Sequence, residues 1–283
     1  MGILANIKGQ QAYMQHGKGN FDEALRLYEE AYKAGMDNPR NLLAYSSLLI
    51  RKWRFQEARD LLVKIQKTPG MNPEQKMQLF CNYAACVCKL GEVEKGVAIL
   101  ERQHAKAPTG LVYETLGCLY VELCVKKPTA EEEEAALAAA AAQTENTEAV
   151  AEGEAPAVPA EPTLTPMQKW EKNVEKAKAF LLAALDYDDE DSVCLDNLGQ
   201  FYYRVLEDKE AARTYFEKAL EVKDSQIDTL WFLSRYDLDA GDTQKAIARL
   251  QKAMQGRFSP LNYATREMVT EELKRLGAKV DDD

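Results

Sequence analysis

Small residues recur along the chain at a nearly constant interval, and each is followed four positions later by a large apolar residue. Successive small residues are separated by 34, 38, 81, 35 and 34 positions: Ala24, Ala58, Gly96, Ala177, Ala212 and Ala246. This pattern is typical of a helix that a neighbouring backbone crosses closely, with the large residue one helical turn later. Repetition near 34 residues therefore predicts a solenoid in which one helix pair is stacked many times.

Turn and capping residues punctuate the repeats in agreement with this period. Three glycines precede second helices, where glycine permits a tight turn: Gly19, Gly91 and Gly241. Asn38-Pro39 and Asn72-Pro73 open first helices, because proline has the φ angle of a first helical turn and lacks only an amide that is unpaired there. We expect helix pairs at 3–37, 39–70, 73–108, 110–189, 191–223 and 225–257.

The end of the sequence predicts one more, solitary helix. Ser259-Pro260 has the residues of an N-cap and a first helical turn, and Gly277 follows the last apolar position, Leu276. A terminal helix with a polar outer face keeps a repeat array soluble. Residues 258–283 are therefore predicted to form a capping helix and an acidic tail.

An acidic insertion interrupts the fourth pair and accounts for the separation of 81. Residues 128–165 are rich in Ala, Glu and Pro and contain no aromatic residue, so they cannot pack a core. Within them, 131–143 has the helix propensity for a lone helix, whereas 154–162 is expected to be extended. We predict a largely disordered insertion between 1–127, with repeats 1–3 and the first helix of repeat 4, and 166–257, with the second helix of repeat 4 and repeats 5–6.

Recurring motifs connect the sequence to a known family. First helices carry (Tyr/Leu)-x2-Leu-Gly-x2-Tyr at 113–120 and 195–202. Second helices carry Ala, a large apolar residue four positions later and a second Ala, at 24–31, 177–184, 212–219 and 246–253. These motifs resemble the tetratricopeptide repeat (TPR) family. The resemblance implies an all-α fold, an α-solenoid of about six TPR-like helix pairs plus a C-terminal capping helix. Departures at Gly96, Asp237 and Gln11-Ala12 affect the expected regularity of stacking.

Charge restricts the class of partner. Asp and Glu total 46 against 36 Lys and Arg, which gives a net charge of −10, with +5 in 1–127, −9 in 128–165 and −6 in 166–283. A net-acidic chain without a dense Lys/Arg stripe is a poor candidate for nucleic-acid binding, because phosphate contacts supply most of that affinity. No stretch approaches the roughly 18 apolar residues of a membrane span. We therefore expect neither a nucleic-acid nor a membrane partner.

Residues for catalysis or metal binding are sparse. His16 and His104 belong to different repeats, and the sequence has no Gly-rich phosphate loop, His-Glu-x2-His motif or nucleophile elbow. Six cysteines fall in apolar helical segments: Cys81, Cys86, Cys88, Cys118, Cys124 and Cys194. Three of them, on adjacent first helices, can be read as a soft-metal or redox site, but packed core thiols are favoured because Cys-x2-Cys spacing is absent. We predict no enzyme, no metal and no cofactor.

Thiols of this kind suit a reducing compartment. The first 20 residues also lack an apolar core long enough for a signal peptide. These two features predict a cytoplasmic location.

The concave wall of such a solenoid is lined by first helices. The face that core residues leave free predicts a ligand groove: Tyr13, Arg40, Leu43, Ser47, Arg51, Gln78, Asn82, Lys89, Thr115, Asn197, Gln200, Arg204, Trp231 and Arg235. The resemblance implies that Asn82 and Asn197 hydrogen-bond the backbone of an extended peptide; the alternative is a solvated Asn without a partner. Of the adjacent Trp231 and Phe232, one is expected to face either the groove or the capping helix.

The sequence predicts a non-enzymatic scaffold that binds an extended segment or a helix of another protein in this groove. The family's carboxylate clamp is not expected, because Gly9 and Tyr13 occupy the corresponding places. A peptide-sensing regulator and a self-associating structural subunit remain alternatives, and the oligomeric state is left open. The acidic insertion is either a simple linker, which is favoured, or a competitor that covers Arg40, Arg51 and Lys89.

Overall fold

The computed structural model describes residues 2–148 and 164–279, and all regular structure within them is helical. The helices are α1 (Gly2–Gly17), α2 (Phe21–Lys33), α3 (Pro39–Arg51), α4 (Phe55–Ile65), α5 (Pro73–Lys89), α6 (Val93–His104), α7 (Gly110–Val125), α8 (Ala130–Glu148), α9 (Pro166–Tyr187), α10 (Ser192–Arg204), α11 (Lys209–Val222), α12 (Ile227–Asp239), α13 (Thr243–Met254) and α14 (Arg266–Arg275). Among the described residues, no helix is both long and apolar enough to cross a membrane.

The helices form six stacked pairs. The pairs are α1–α2, α3–α4, α5–α6, α7–α9, α10–α11 and α12–α13, and each second helix except α13 packs on the first helix of the next pair. The first helices α1, α3, α5, α7, α10 and α12 contact one another in that order and form one continuous wall. Helix α14 packs on α13 and closes the array. The predicted α-solenoid with a terminal helix is confirmed.

The spacing of small residues reflects close helix crossings. Ala24, Ala58 and Ala177 are fully buried, as is the large residue that follows each of them. A Cβ atom on Gly96 would lie 2.8 Å from the Cδ2 atom of Leu119 and 3.0 Å from the carbonyl oxygen of Ala84. Glycine is therefore favoured there in place of the usual Ala, because α5 of the same pair and Leu119 of the next pair both approach closely.

In five of the six pairs, the turn between the helices uses a left-handed residue two positions before the second helix; the insertion takes its place in the fourth pair. Gly19, Gly91 and Gly241 have φ angles of 84°, 86° and 79°, as predicted for tight turns. At the equivalent positions of the second and fifth pairs, Trp53 and Glu207 have φ angles of 58° and 56°. The backbones of these two residues lie in the left-handed region, which is unfavourable for residues that have a Cβ atom.

The helix within the insertion is longer than its propensity indicated. Helix α8 covers the expected 131–143 and continues to Glu148, and it contacts α9. The backbone amide of Met167, at the start of α9, donates to the Glu133 carboxylate at 2.8 Å. The expected extended stretch at 154–162 lies outside the described residues.

The C-terminal helix begins later than the sequence indicated. Helix α14 starts at Arg266, where the Thr265 hydroxyl accepts from the amide of Met268, rather than at Ser259-Pro260. The carboxylate of Asp228 in α12 accepts hydrogen bonds from the amides of Tyr263 and Ala264, each at 3.0 Å. This long-range bonding holds residues 256–264 in a non-helical course, which we call the crossing segment.

Candidate ligand groove

Three connected spaces follow the concave wall and form what we call the trough. The N-terminal pocket, of about 550 Å³, lies between α1, α3 and α5. The central pocket, of about 120 Å³, shares Ser47 and Gln78 with it. The C-terminal cavity, of about 400 Å³, shares Leu111, Thr115 and Leu261 with the central pocket. The shared lining residues make the trough continuous from α1 to α12.

The N-terminal pocket holds an accessible cation. The Arg40 guanidinium donates to the Tyr13 hydroxyl at 3.0 Å and lies 4.5 Å from the centroid of the Tyr13 ring. In the part of the chain that the structure describes, Arg40 has no ion pair. Leu43 is buried at the base of the pocket, and half-buried Ser47 donates to its carbonyl oxygen. Tyr13 thus orients a positive charge that forms no ion pair with a described carboxylate, although exposed Glu74 lines the same pocket.

The two asparagines tie first helices together. The Asn82 amide, 8% exposed, donates to the hydroxyls of Ser46 and Ser47 at 3.2 and 3.0 Å, and its oxygen accepts from Gln78 at 2.7 Å. Asn197, 4% exposed, donates to the carbonyl oxygen of Glu114 at 2.9 Å. Neither amide is solvated, and the amide hydrogens of Asn82 both point to the neighbouring helix. Asn82 contacts α3 and Asn197 contacts α7, and small residues on each of these helices leave the space that the asparagine fills.

The other basic residues of the predicted groove differ in their availability. The Arg51 guanidinium lies 4.3 Å from the Phe21 ring centroid, and burial, with Arg257 nearby, lowers its pKa. Arg204 donates to Glu122 at 2.7 Å and to Gln200 at 3.0 Å. Lys89 is exposed at the end of α5.

Trp231 and Arg235 are occupied by the C-terminal helix. Phe232 is buried and stacks on Phe216, with ring centroids 4.9 Å apart. Trp231 packs against the cluster formed by α13 and α14. Arg235 lies over the Trp231 ring at 4.3 Å and bonds to Glu272 of α14 at 2.7 Å. Of the two expected positions, Trp231 therefore takes the one against the capping helix.

The crossing segment lies over the middle of the trough. The Leu261 side chain lines the central pocket opposite Ile50 and Ala85, and its carbonyl oxygen accepts from the Cys118 thiol at 3.9 Å. The Tyr263 ring lies 5.0 Å from that of Phe232 and 4.3 Å from the Arg204 guanidinium. Sequence reasoning missed this segment because it contains Ser259-Pro260, which has the residues of a helix N-terminus.

The C-terminal cavity is acidic, and its two buried aspartates were absent from the predicted groove. The Asp196 carboxylate accepts from Thr229 at 2.6 Å and from Gln200 at 2.7 Å. Burial, together with Asp228, raises the pKa of Asp196 to about 7. Burial also raises the pKa of Asp228 and of Glu114. The polar residues beside Asn197 on a first helix are the feature of the sequence that could have indicated this cavity.

The cysteines are free thiols with suppressed acidity. Burial raises the pKa of all six, to about 11 for Cys81 and Cys88. Because the thiolate is the reactive form, these thiols are poor nucleophiles. Over 2–148 and 164–279, no group of three or more His, Cys, Asp or Glu residues is placed to hold a metal ion.

Comparisons with known proteins agree with this architecture. Residues 15–79 and 193–223 match models described as tetratricopeptide repeat. The fold is similar to that of a thermophilic TPR protein from Thermus thermophilus, with a TM-score of 0.58 and 16% identity, covering 84% of this chain and 98% of that one. It is also similar to human IFIT1 in a dimer with m7Gppp-AAAA, with a TM-score of 0.52 and 17% identity, covering 90% of this chain and 48% of IFIT1.

No curated protein matches the sequence. At identities of 16 and 17%, the likeness to the two solved structures concerns the fold alone. The repeat models, the six stacked pairs and the structural likeness agree with one another. The chain therefore contains tetratricopeptide repeats, matched at 15–79 and 193–223, within a solenoid of six stacked helix pairs.

Proposed function

We propose that the protein is a non-enzymatic interaction scaffold whose trough binds an extended segment of a partner protein. The observation that carries this proposal is the crossing segment, in which a stretch of the chain itself lies against the first helices. Leu261 lines the central pocket, and Asp228 accepts from two consecutive backbone amides. Backbone amides and an apolar side chain are features that any extended peptide presents. The same wall therefore suits a segment from another chain.

The N-terminal pocket is the entry point for such a segment. It is open, and it offers the Arg40 guanidinium and the half-buried polar side chains of Ser47 and Gln78. A carboxylate of the partner gains a charge-assisted hydrogen bond from Arg40, which is about twice as strong as a neutral one. The positive charge of 1–127 adds long-range attraction for an acidic segment.

Charge favours a protein over a nucleic acid as the partner. Human IFIT1 was solved with m7Gppp-AAAA, whereas the trough of this chain leads to Glu114, Asp196 and Asp228. Carboxylates repel a phosphate backbone, whose binding depends on Lys and Arg contacts. A polypeptide can present one acidic residue to Arg40 without placing a chain of phosphates along these carboxylates.

Site-specific photocrosslinking in the source cells tests the proposal. A photoreactive phenylalanine at Gln78 samples the trough, and one at Gln103 samples a cleft of about 310 Å³ lined by α4, α5 and α6 on another face. Both glutamines are half-buried helical residues, so they are matched controls. A partner crosslinked from Gln78 and not from Gln103 supports trough binding. A partner crosslinked only from Gln103 contradicts it.

Self-association is a second candidate, because α1 carries an exposed apolar stripe. Ile3 and Leu4 are 79% and 78% exposed, and Ile7 and Met14 are about half exposed. Ile3, Ile7 and Met14 share one helical face, and such a patch favours an isologous dimer. Light scattering on the purified chain tests this. A dimer that the Ile7→Glu variant dissociates supports self-association, and a wild-type monomer at high micromolar concentration rejects it.

A further inference from the structure

We propose that the C-terminal cavity of the trough binds one cationic group, a guanidinium or an alkylammonium. The group belongs to a basic side chain of the segment bound in the trough. The assignment of the cation to that segment rests on the proposed function, whereas the binding of a cation does not. A free small amine presents the same chemistry and is separated from the side chain by the test below.

The shape of the cavity suits a side chain that arrives from the trough. Helices α7, α10 and α12 form its wall, and the crossing segment forms its opposite side. Its volume of about 400 Å³ falls in the range of ligand pockets. Leu111, Thr115 and Leu261 line both this cavity and the central pocket. A residue held in the central pocket can therefore extend its side chain into the cavity.

The buried wall of the cavity has an excess of carboxyl groups. Asp196 and Asp228 are buried, and Glu114 is half-buried against Asp191. The cation that acts on both aspartates, Arg204, is shared with Glu122. Burial without sufficient positive charge raises the pKa of each of the three carboxyls that line the cavity. A bound cation supplies the missing charge.

Positive residues of the cavity lie at its mouth. Lys223 and Arg257 are exposed, so water screens their charges. Lys223 lowers the pKa of Glu114, but this effect is smaller than the effects of burial and of Asp191. The buried part of the cavity therefore favours a cationic group. Its mouth favours an anionic group elsewhere on the same ligand.

A buried amide points independently to a ligand. Gln226 lines the cavity and is 8% exposed, yet its side chain has no hydrogen-bond partner anywhere in the described ranges. Buried polar side chains are normally hydrogen-bonded, so an unpaired one at a cavity wall calls for an explanation. A guanidinium carries five N–H donors. The Gln226 carbonyl oxygen accepts one of them, and the Glu114 carboxylate, which lines the same cavity, accepts another.

Matched small molecules test the proposal on the full chain. Butylguanidinium and butylurea have the same shape and differ in charge, and calorimetric titration compares them. The proposal expects butylguanidinium to bind at least tenfold more tightly than butylurea. Equal binding, or no binding of either at 10 mM, overturns it.

Variants locate the binding. Gln226→Leu and Glu114→Gln each lower the affinity for butylguanidinium by about tenfold, whereas Asp239→Asn, which removes an exposed carboxylate at the far end of α12, leaves it unchanged. An affinity that Gln226→Leu and Glu114→Gln both preserve contradicts the assignment. If a variant does not fold, wild-type titrations in buffers of different ionisation enthalpy decide. Proton release on binding at pH 7 supports a cation at the buried carboxyls, and the absence of proton release overturns it.

A peptide arm identifies the source of the cation. Acetyl-Ala-Arg-Ala-amide that binds more tightly than butylguanidinium, and loses affinity when Arg is replaced by citrulline, indicates a side chain. A peptide weaker than butylguanidinium overturns the side-chain source. Crosslinking from Gln78 without guanidinium binding refutes this inference alone, and guanidinium binding without that crosslink refutes the proposed function alone.

Discussion

Replacing Asn82 by Ala should destabilise the fold, although the residue lies on the concave wall. The buried amide loses two donated hydrogen bonds, to Ser46 and Ser47, and its oxygen loses one from Gln78. At about 1 kcal/mol for each buried bond, with little for Gln78 because water replaces Asn82 there, the variant loses about 2 kcal/mol. The serines keep their own bonds to the Leu43 carbonyl oxygen, so no further donor is left unpaired.

Urea unfolding followed by circular dichroism measures this loss. The midpoint should fall by about 0.7 to 2 M, because urea slopes are about 1–3 kcal/mol per molar. Gln78→Ala, which removes one bond from a half-buried side chain, is the control and should cost less than about 1 kcal/mol. A double-mutant cycle with Ser47→Ala should give a coupling of about 1 kcal/mol. An unchanged midpoint together with weakened partner binding would refute the structural role and restore Asn82 as a ligand contact.

Three further changes have defined outcomes. Glu207→Gly should stabilise the protein by about 0.5–1 kcal/mol in thermal melts, because glycine accepts φ = 56° without strain. The control Glu210→Gly, inside the first turn of α11, should destabilise it by a similar amount in the same melts. Because the folded-state pKa of Asp196 is raised to about 7, its contribution to stability is present below about pH 4 and lost as pH rises through 7. In urea titrations, Asp196→Asn should therefore gain stability relative to the wild type between pH 5 and pH 8. The four buried thiols, Cys81, Cys86, Cys124 and Cys194, should react with a thiol reagent at least tenfold more slowly in the native protein than in urea, and fast native modification of Cys81 would contradict its raised pKa.

The repeat architecture was predictable because its signals are local. A small residue and a large one four positions later define a helix crossing within one turn, and Asn-Pro or Gly defines the adjacent boundary. Ala24, Ala58 and Gly96 therefore indicated the stacking without knowledge of any neighbour. The same reasoning could not place left-handed turns at Trp53 and Glu207, because neither residue favours that conformation by itself.

The groove was less predictable because long-range contacts decide it. Ser259-Pro260 has the local features of a helix start, but Asp228, more than 30 residues earlier, holds the following amides in a different course. Tyr13, Arg40, Ser47 and Gln78 do line the trough, as the free face of the first helices indicated. Trp231 and Arg235 share that face in sequence, yet α14 covers them, which only the packing of the terminal helix determines.

The affinity of the crosslinked partner segment for two matched variants tests the central claim most directly. Arg40→Ala changes the N-terminal pocket of the trough, and Arg102→Ala changes the cleft that α4, α5 and α6 line. Both arginines are exposed helical residues, so each variant removes one surface charge at little cost to stability. Trough binding predicts that Arg40→Ala raises the dissociation constant about tenfold while Arg102→Ala leaves it unchanged. The reverse order would contradict the account and move the interaction to that cleft.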